Sequence, residues 1–551
     1  MNLGTRTRCV AALTAGLPTI VSLWVGCGCA SQPSFPAPIE VRAETNETVL
    51  AFDTDRDQRA DFWQYQRPGG RKHALAYAAE RSEQPGERID LDAIDPAECP
   101  HFVIVLDGVP FELVDQLYRE GHFRFFHPPA KVICGFPSMT DLALNEFFHT
   151  GRCLAYEALY FDRRANRLTD GTAVYLSARN SRWLEQMDYR CSFWWDAQAY
   201  LNPQALFDHE INGIIRTFRS IEDGERYAYT VGTAGLGTRG GREAILKYLR
   251  TVDRLCEQIV FERRGRVKIT LTADHGHNLV ENRRISFRKA LEGGGYRQAK
   301  SLREPRDVVP ISYGLVTYTA FYTNDPAGVA NCLVGHEDVE FACYPADDAV
   351  IVCDRTGHAR ITKGETGFVY DTREADPLKL NPITEQLRRD GRLAADGGID
   401  DESLFSATVD HYYPDPLARI WAAFHESVEN PPDLIANLRD GACYGSRFFH
   451  AMIGNVASTH GSLNRANSTT FVLTTLGELP PALRPHDLLP ALEILRSEPQ
   501  PRSRRVGRDP ALVFHRVEGG SRPTLQKCQR VRIAPWLAFR QRDACSSGSA
   551  R

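Results

Sequence analysis

Two apolar runs, each ended by an acid and far apart in the chain, constrain the fold most. The first is His101-Phe102-Val103-Ile104-Val105-Leu106-Asp107-Gly108 and the second is Ile269-Thr270-Leu271-Thr272-Ala273-Asp274-His275-Gly276. Runs of this length, rich in β-branched residues and closed by Asp-Gly or Asp-His-Gly, read as central parallel strands whose carboxyl ends deliver polar side chains. Ligands of open α/β sheets bind at that edge. Between the two runs, Phe136-Pro137-Ser138-Met139-Thr140-Asp141 supplies a hydroxyl at the entry to a helical pattern. Two carboxylates, one imidazole and one hydroxyl gathered at a strand edge form a cation site with an oxygen nucleophile beside it, an arrangement suited to phosphate-ester cleavage.

The periodicity around these runs alternates strand and helix. Residues 110–118 carry helical apolar spacing, 131–136 return as a strand, 141–150 read as a helix, and 242–259 place Ile245, Leu249, Val252, Cys256 and Ile259 on one face before the second run. The expected fold is therefore α/β, with a doubly wound, mostly parallel sheet. The expected organisation is an export signal over 1–30, a linker and Asp-rich loop over 31–97, a first core segment over 98–310, an inserted cap over 311–439, a second core segment over 440–498 and a basic tail over 499–551. The cap is read from hairpin-like pieces such as Ala349-Val350-Ile351-Val352-Cys353, followed by polar helices. In the N-terminal segment, Asp53, Asp55, Asp57 and Asp61 alternate as calcium ligands do in an EF-hand loop. The glycine and terminal glutamate of such a loop are replaced by Gln58 and Gln64, so calcium and a solvated acidic turn both fit.

Composition excludes several classes. The 551 residues carry a net charge of −4, with no basic face for nucleic acid; the one basic cluster, Arg502 to Arg505, lies in the tail. Arg6 and Arg8 precede an apolar stretch from Val10 to Val25 and then Gly26-Cys27-Gly28-Cys29-Ala30, the layout of a bacterial export signal. The chain is expected outside the cytoplasm, periplasmic or at the cell surface, either lipid-anchored through Cys27 or cleaved after Ala30. None of the 11 cysteines from Cys99 onward shows the Cys-x-x-Cys spacing of a zinc or redox site.

Taken together, Asp107-Gly108, Phe136-Pro137-Ser138-Met139-Thr140 with Thr150-Gly151, Ala273-Asp274-His275-Gly276 and Thr459-His460-Gly461 resemble the alkaline phosphatase superfamily, within it the type I phosphodiesterase and nucleotide pyrophosphatase branch. The resemblance spans residues 102–310 and 440–476. It implies a divalent metal, usually zinc, held by Asp107, Thr140, Asp274 and His275; the donor types also suit manganese or magnesium. It further implies Thr140 as the nucleophile in preference to Ser138, and a catalytic or metal-ligating role for His460. The branch's second metal takes an Asp and a His from Gly-Thr-Asp-x-x-Gly-His, and the matching residues here are Ala234 and Thr238. That position is expected to be empty or weak, leaving His460 and His277 to act as base or phosphate ligand, and Arg239 to offer a charge in the lost cation's stead. Ala158 stands where the branch has a phosphate-binding Asn. The expected substrate is a small phosphate ester or a lipid headgroup, and the competing expectation is a ligand-binding protein of the same fold without turnover.

Overall fold

The computed structural model describes residues 35–79, 84–196 and 198–497. The export signal with Cys27 and the tail over 499–551 lie outside the described residues. At the centre is a six-stranded sheet built from β1 (His101–Leu106), β2 (Ala130–Ile133), β3 (Glu225–Thr230), β4 (Lys268–Ala273), β5 (Thr469–Thr474) and β6 (Ala482–Leu483), in the order β3-β1-β4-β5-β2-β6. Strands β3 and β4 flank β1 in parallel, β6 runs parallel to β2, and β5 lies antiparallel between β4 and β2.

Alternation along β1 explains why helices cover both faces. Phe102, Ile104 and Leu106 point into a core shared with helix α1 (Phe111–Arg119), helix α3 (Pro203–Arg219) and the long helix α4 (Gly232–Glu262). Val103 and Val105 point into the opposite core, with Leu144 and Phe147 of helix α2 (Thr140–Phe147) and Leu488 and Leu492 of helix α5 (Pro485–Ser497). A strand buried on both faces must read as an unbroken apolar run, and this one does. The chain is thus the doubly wound α/β fold its sequence predicts. Helix α4 starts ten residues earlier than its apolar stripe suggests and is interrupted at Gly241, where φ +59° and ψ −148° suit a residue without a Cβ.

A second, eight-stranded sheet runs Arg297–Gln298, Asp307–Pro310, Tyr318–Thr323, Leu434–Leu438, Val339–Ala346, Ala349–Asp354, Gly357–Lys363 and Phe368–Asp371 across its width. It draws strands from both sides of residue 311. The helices Asn381–Arg389, Asp401–Thr408 and Pro416–His425 pack against one of its faces through Leu387, Leu404, Leu417 and Ile420. At the other end of the chain, a five-stranded meander over residues 40–90 sets Phe52 and Phe62 against Phe261 of α4. It is tied there by a largely buried ion pair between Lys72 and Glu257.

Candidate metal-binding active site

The register of the central sheet assembles the site. Leu106 of β1 pairs with Ala273 of β4, so the next residues, Asp107 and Asp274, emerge side by side at the carboxyl edge. Gly108 turns the chain away with φ +67°, and its backbone N–H donates to Asp274 Oδ1 at 2.9 Å. His275 N–H donates to the same oxygen at 2.8 Å. The other oxygen, Asp274 Oδ2, is buried, and among the described residues no donor meets it with hydrogen-bond geometry. On the far side of β1, the Tyr229 hydroxyl donates to Asp107 Oδ2 at 2.5 Å.

His275 closes the cluster. Its Nδ1 lies 2.9 Å from the Gly276 carbonyl, which can only accept, so Nδ1 carries the proton and Nε2 presents a lone pair. That Nε2 is 3.4 Å from Asp274 Oδ2, 3.6 Å from Asp107 Oδ1 and 3.2 Å from Thr140 Oγ1. Burial drives the imidazole down to about 4, so it is neutral at physiological pH. Burial, followed by the charge of Asp274, pushes the Asp107 carboxyl well above the usual carboxylate range, and burial raises Asp274 too. Two buried carboxylates side by side, an orphaned oxygen and an outward imidazole lone pair are what a divalent cation satisfies. Asp107, Asp274 and His275 fit that group, with the half-buried Thr140 hydroxyl at its edge.

Thr140 is the first residue of α2, and the N-cap position is Met139, which has no side-chain cap bond. The Thr140 hydroxyl is therefore not committed to capping, and the helix begins at this edge of the sheet. Ser138 is differently placed: fully buried, it donates to the Ser462 carbonyl at 3.0 Å and accepts from Arg419 at 3.3 Å. His460 donates from Nδ1 to the Ser138 carbonyl at 2.8 Å and stacks on His275 with ring centroids 3.8 Å apart. Burial, then the neighbouring His275, lowers His460 to about 3.

The residues at the other family position are as unhelpful as their types imply: Ala234 and Thr238 are buried in α4 and Arg239 is exposed. Glu157 and Ala158 are buried, with Glu157 accepting from Gly314 N–H at 2.5 Å. Asp53, Asp55 and Asp57 come together in an exposed turn, while Asp61 stands apart, its oxygens taken by the Thr54 amide at 2.9 Å and the Thr54 hydroxyl at 2.5 Å. One feature escapes sequence reasoning. Tyr229 reaches Asp107 only because β3 neighbours β1, for which no local pattern gives a signal. His277, two residues beyond His275, is fully buried with an Nε2 that has no partner.

No protein-family model and no curated protein matches this chain. Among solved structures, phosphonoacetate hydrolase from Sinorhizobium meliloti 1021 in complex with phosphonoformate is similar at 12% identity and a TM-score of 0.41, covering 75% of this chain and 97% of that one. Human ectonucleotide pyrophosphatase/phosphodiesterase 5 is similar at 12% identity and a TM-score of 0.39, covering 72% of this chain and 94% of that one.

Proposed function

We propose that this chain is a metal-dependent phosphoric-ester hydrolase or phosphotransferase of the alkaline phosphatase superfamily, with Thr140 as its nucleophile. The observation that carries the reading is the Thr140 hydroxyl at 3.2 Å from His275 Nε2, on the rim of a buried carboxylate pair with an unsatisfied oxygen. Asp107, Asp274 and His275 would hold a divalent ion, with zinc, manganese or magnesium compatible with the donors; bound there, it supplies positive charge that lowers the pKa of an adjacent hydroxyl and neutralises phosphoryl oxygens.

The chain's own groups do the rest. His275 Nε2, 3.2 Å from the Thr140 hydroxyl, would be committed to the ion, so the hydroxyl proton leaves to solvent as Oγ1 attacks. Amides at the first turn of α2 offer donors to the phosphoryl oxygens. Attack by Oγ1 forms a P–O bond as the ester P–O bond breaks; the departing alkoxide takes a proton, and phosphothreonine remains. Water, or a second alcohol, then attacks phosphorus and returns Thr140. His460, neutral at physiological pH with Nδ1 fixed on Ser138, keeps one free ring nitrogen at the site, to take a proton in that second step or to hold a cation. The substrate class is a small phosphate ester or the phosphate of a lipid headgroup.

The competing reading, a ligand-binding protein without turnover, is favoured by one observation: Ala234 and Thr238 bring no metal donor to the second position. Export to the periplasm or cell surface, with attachment through Cys27, belongs to the proposal; no described helix is long and apolar enough to cross a membrane. The test is hydrolysis of p-nitrophenyl phosphate and bis-p-nitrophenyl phosphate by wild type, Thr140→Ser and Thr140→Ala, with metal content measured in each. Loss of at least about a thousandfold in Thr140→Ala, with partial activity in Thr140→Ser, is expected for an essential nucleophile. Undiminished turnover in Thr140→Ala would overturn the nucleophile assignment. Metal binding without turnover across a broad ester panel would favour the binding protein.

A further inference from the structure

His277 is the unexplained group next to the proposed site. Its ring sits in a slot opened by two glycines: a Cβ on Gly108 would lie 2.6 Å from both Cδ2 and Nε2, and a Cβ on Gly237 would lie 3.2 Å from Nδ1. Gly108 follows Asp107, and Gly237 lies on α4 between Ala234 and Thr238, the two positions that bring no donor. The imidazole thus fills the space between the strand end and the helix that would otherwise present metal ligands. Its Nδ1 is 3.1 Å from Ser458 Oγ, which also accepts from Leu279 N–H at 2.9 Å and reaches Asn278 Oδ1 at 3.4 Å. That hydrogen-bond set closes when Nδ1–H donates to Oγ and the serine proton goes to Asn278, leaving an Nε2 lone pair with no partner in a fully buried place. A buried lone pair without a donor is destabilising, so its retention calls for a ligand.

The surroundings supply a second donor. One ring nitrogen from each of His275, His277 and His460 lies within 4.8 Å of the other two. The rings of His277 and His460 are 5.4 Å apart and nearly parallel, at 26°. His460, like His275, has its Nδ1–H on a backbone carbonyl, so its free nitrogen is also an outward lone pair. Carbonyl and hydroxyl partners on the far nitrogen are the usual means of fixing the tautomer and aim of a ligating histidine.

We propose that His277 and His460 form a second cation position, rebuilt from a different residue set where α4 contributes none, for a borderline ion such as zinc. His275 Nε2 is a single donor atom and can serve one ion; its distances to the carboxylates and Thr140 assign it to the first pocket. The second ion therefore has two protein nitrogens, and water or a phosphoryl oxygen completes it. Two imidazoles bind less firmly than a pocket with two carboxylates and an imidazole, so occupancy is sequential, tighter ion first. The inference rests on the first pocket being a metal pocket, which the experiment checks separately.

The test is zinc titration of the chelator-stripped full chain, followed by isothermal calorimetry and by elemental analysis after gel filtration, for wild type, His277→Ala, His277→Asn and Asp274→Asn. Circular dichroism confirms that each variant is folded, and His277→Asn keeps a polar group in the slot should alanine disrupt it. Wild type is expected to take up two ions with affinities at least tenfold apart. Both His277 variants should lose the weaker ion and keep the tighter one, whereas Asp274→Asn should lose the tighter. A single ion in wild type, or two ions retained by folded His277 variants, would overturn the second position. Loss of turnover in Thr140→Ala bears only on the proposed activity, so the two readings fail independently.

Discussion

Asp107 and Asp274 stand at the ends of adjacent buried strands, whereas Asp53, Asp55 and Asp57 ring an exposed turn, and only the first group leaves a buried carboxylate oxygen unsatisfied. In the turn, Asp53 Oδ1 accepts from the backbone N–H groups of Arg56 and Asp57 at 2.6 and 3.1 Å, and Oδ2 accepts from Gln58 at 2.8 Å. Asp55 and Asp57 each take one further amide, and water reaches the rest. At the strand ends, water is excluded, and among the described residues no donor meets Asp274 Oδ2 with hydrogen-bond geometry. The comparison teaches that clustered negative charge says little by itself; what matters is whether backbone and solvent already satisfy it.

The largest expected effect separates the two clusters directly. Asp274→Asn should weaken metal binding by at least about a hundredfold, since even residues that merely support ligands cost 10–100-fold when changed, while Asp55→Asn should leave the same titration unmoved. A common effect of both substitutions would erase the distinction. Next comes Tyr229→Phe, which removes the only side-chain donor to Asp107 among the described residues; metal affinity should fall about tenfold or more and unfolding free energy by about 1 kcal/mol, read by calorimetry and denaturant titration.

Glu210 sharpens the contrast because it is buried like the first group and satisfied like the second. Its oxygens accept from Val231 and Gly232 N–H at 2.9 and 3.0 Å, and burial pushes it up to about 8. An unfolded glutamate titrates near 4.3. From there to about 8 the folded chain holds a proton the unfolded chain has lost, so stability falls as pH rises through this window. Glu210→Gln should flatten that part of the melting-temperature profile between pH 5 and 8; an unchanged slope would mean the carboxyl is ionised throughout. The smallest effect belongs to the turn: millimolar calcium should alter stability by under about 0.5 kcal/mol, as for an exposed surface feature, and a shift of several degrees would show that the turn is a metal site after all.

The strands ending in Asp107 and Asp274 were readable because both faces of each are covered, which leaves an uninterrupted apolar run with the acid as its stop. Thr140 was readable from its place behind Phe136 and Pro137, although as the first helical residue and not as a cap. The second sheet was harder, because Leu434–Leu438 joins it between Tyr318–Thr323 and Val339–Ala346 through long-range pairing, which leaves no local period. Tyr229 was obscured for a related reason, and so was the slot that holds His277, a residue the sequence did single out. A hydroxyl on Asp107 and a slot between Gly108 and Gly237 depend on which elements become neighbours, and spacing along the chain does not encode that. Sequence left the second metal position without donors from Ala234 and Thr238; the His277 ring lies beside them, against Gly237.

Strand β5 is the last long strand of the central sheet to be synthesised, yet it occupies an interior position between β4 and β2. Until residue 474 has emerged, β2 has no long partner and β4 presents an open apolar edge. The sheet then exists as two fragments, with Asp107, Asp274 and His275 on one and Thr140 on the other. Folding from the N-terminus during translation cannot complete this architecture, because closure waits for a non-local pairing late in the sequence. The exposed edges of β4 and β2 make the growing chain a client for protection against strand-to-strand association. A chain truncated before Thr469 would lose the bridge between Thr140 and the carboxylates of Asp107 and Asp274, not merely a peripheral segment.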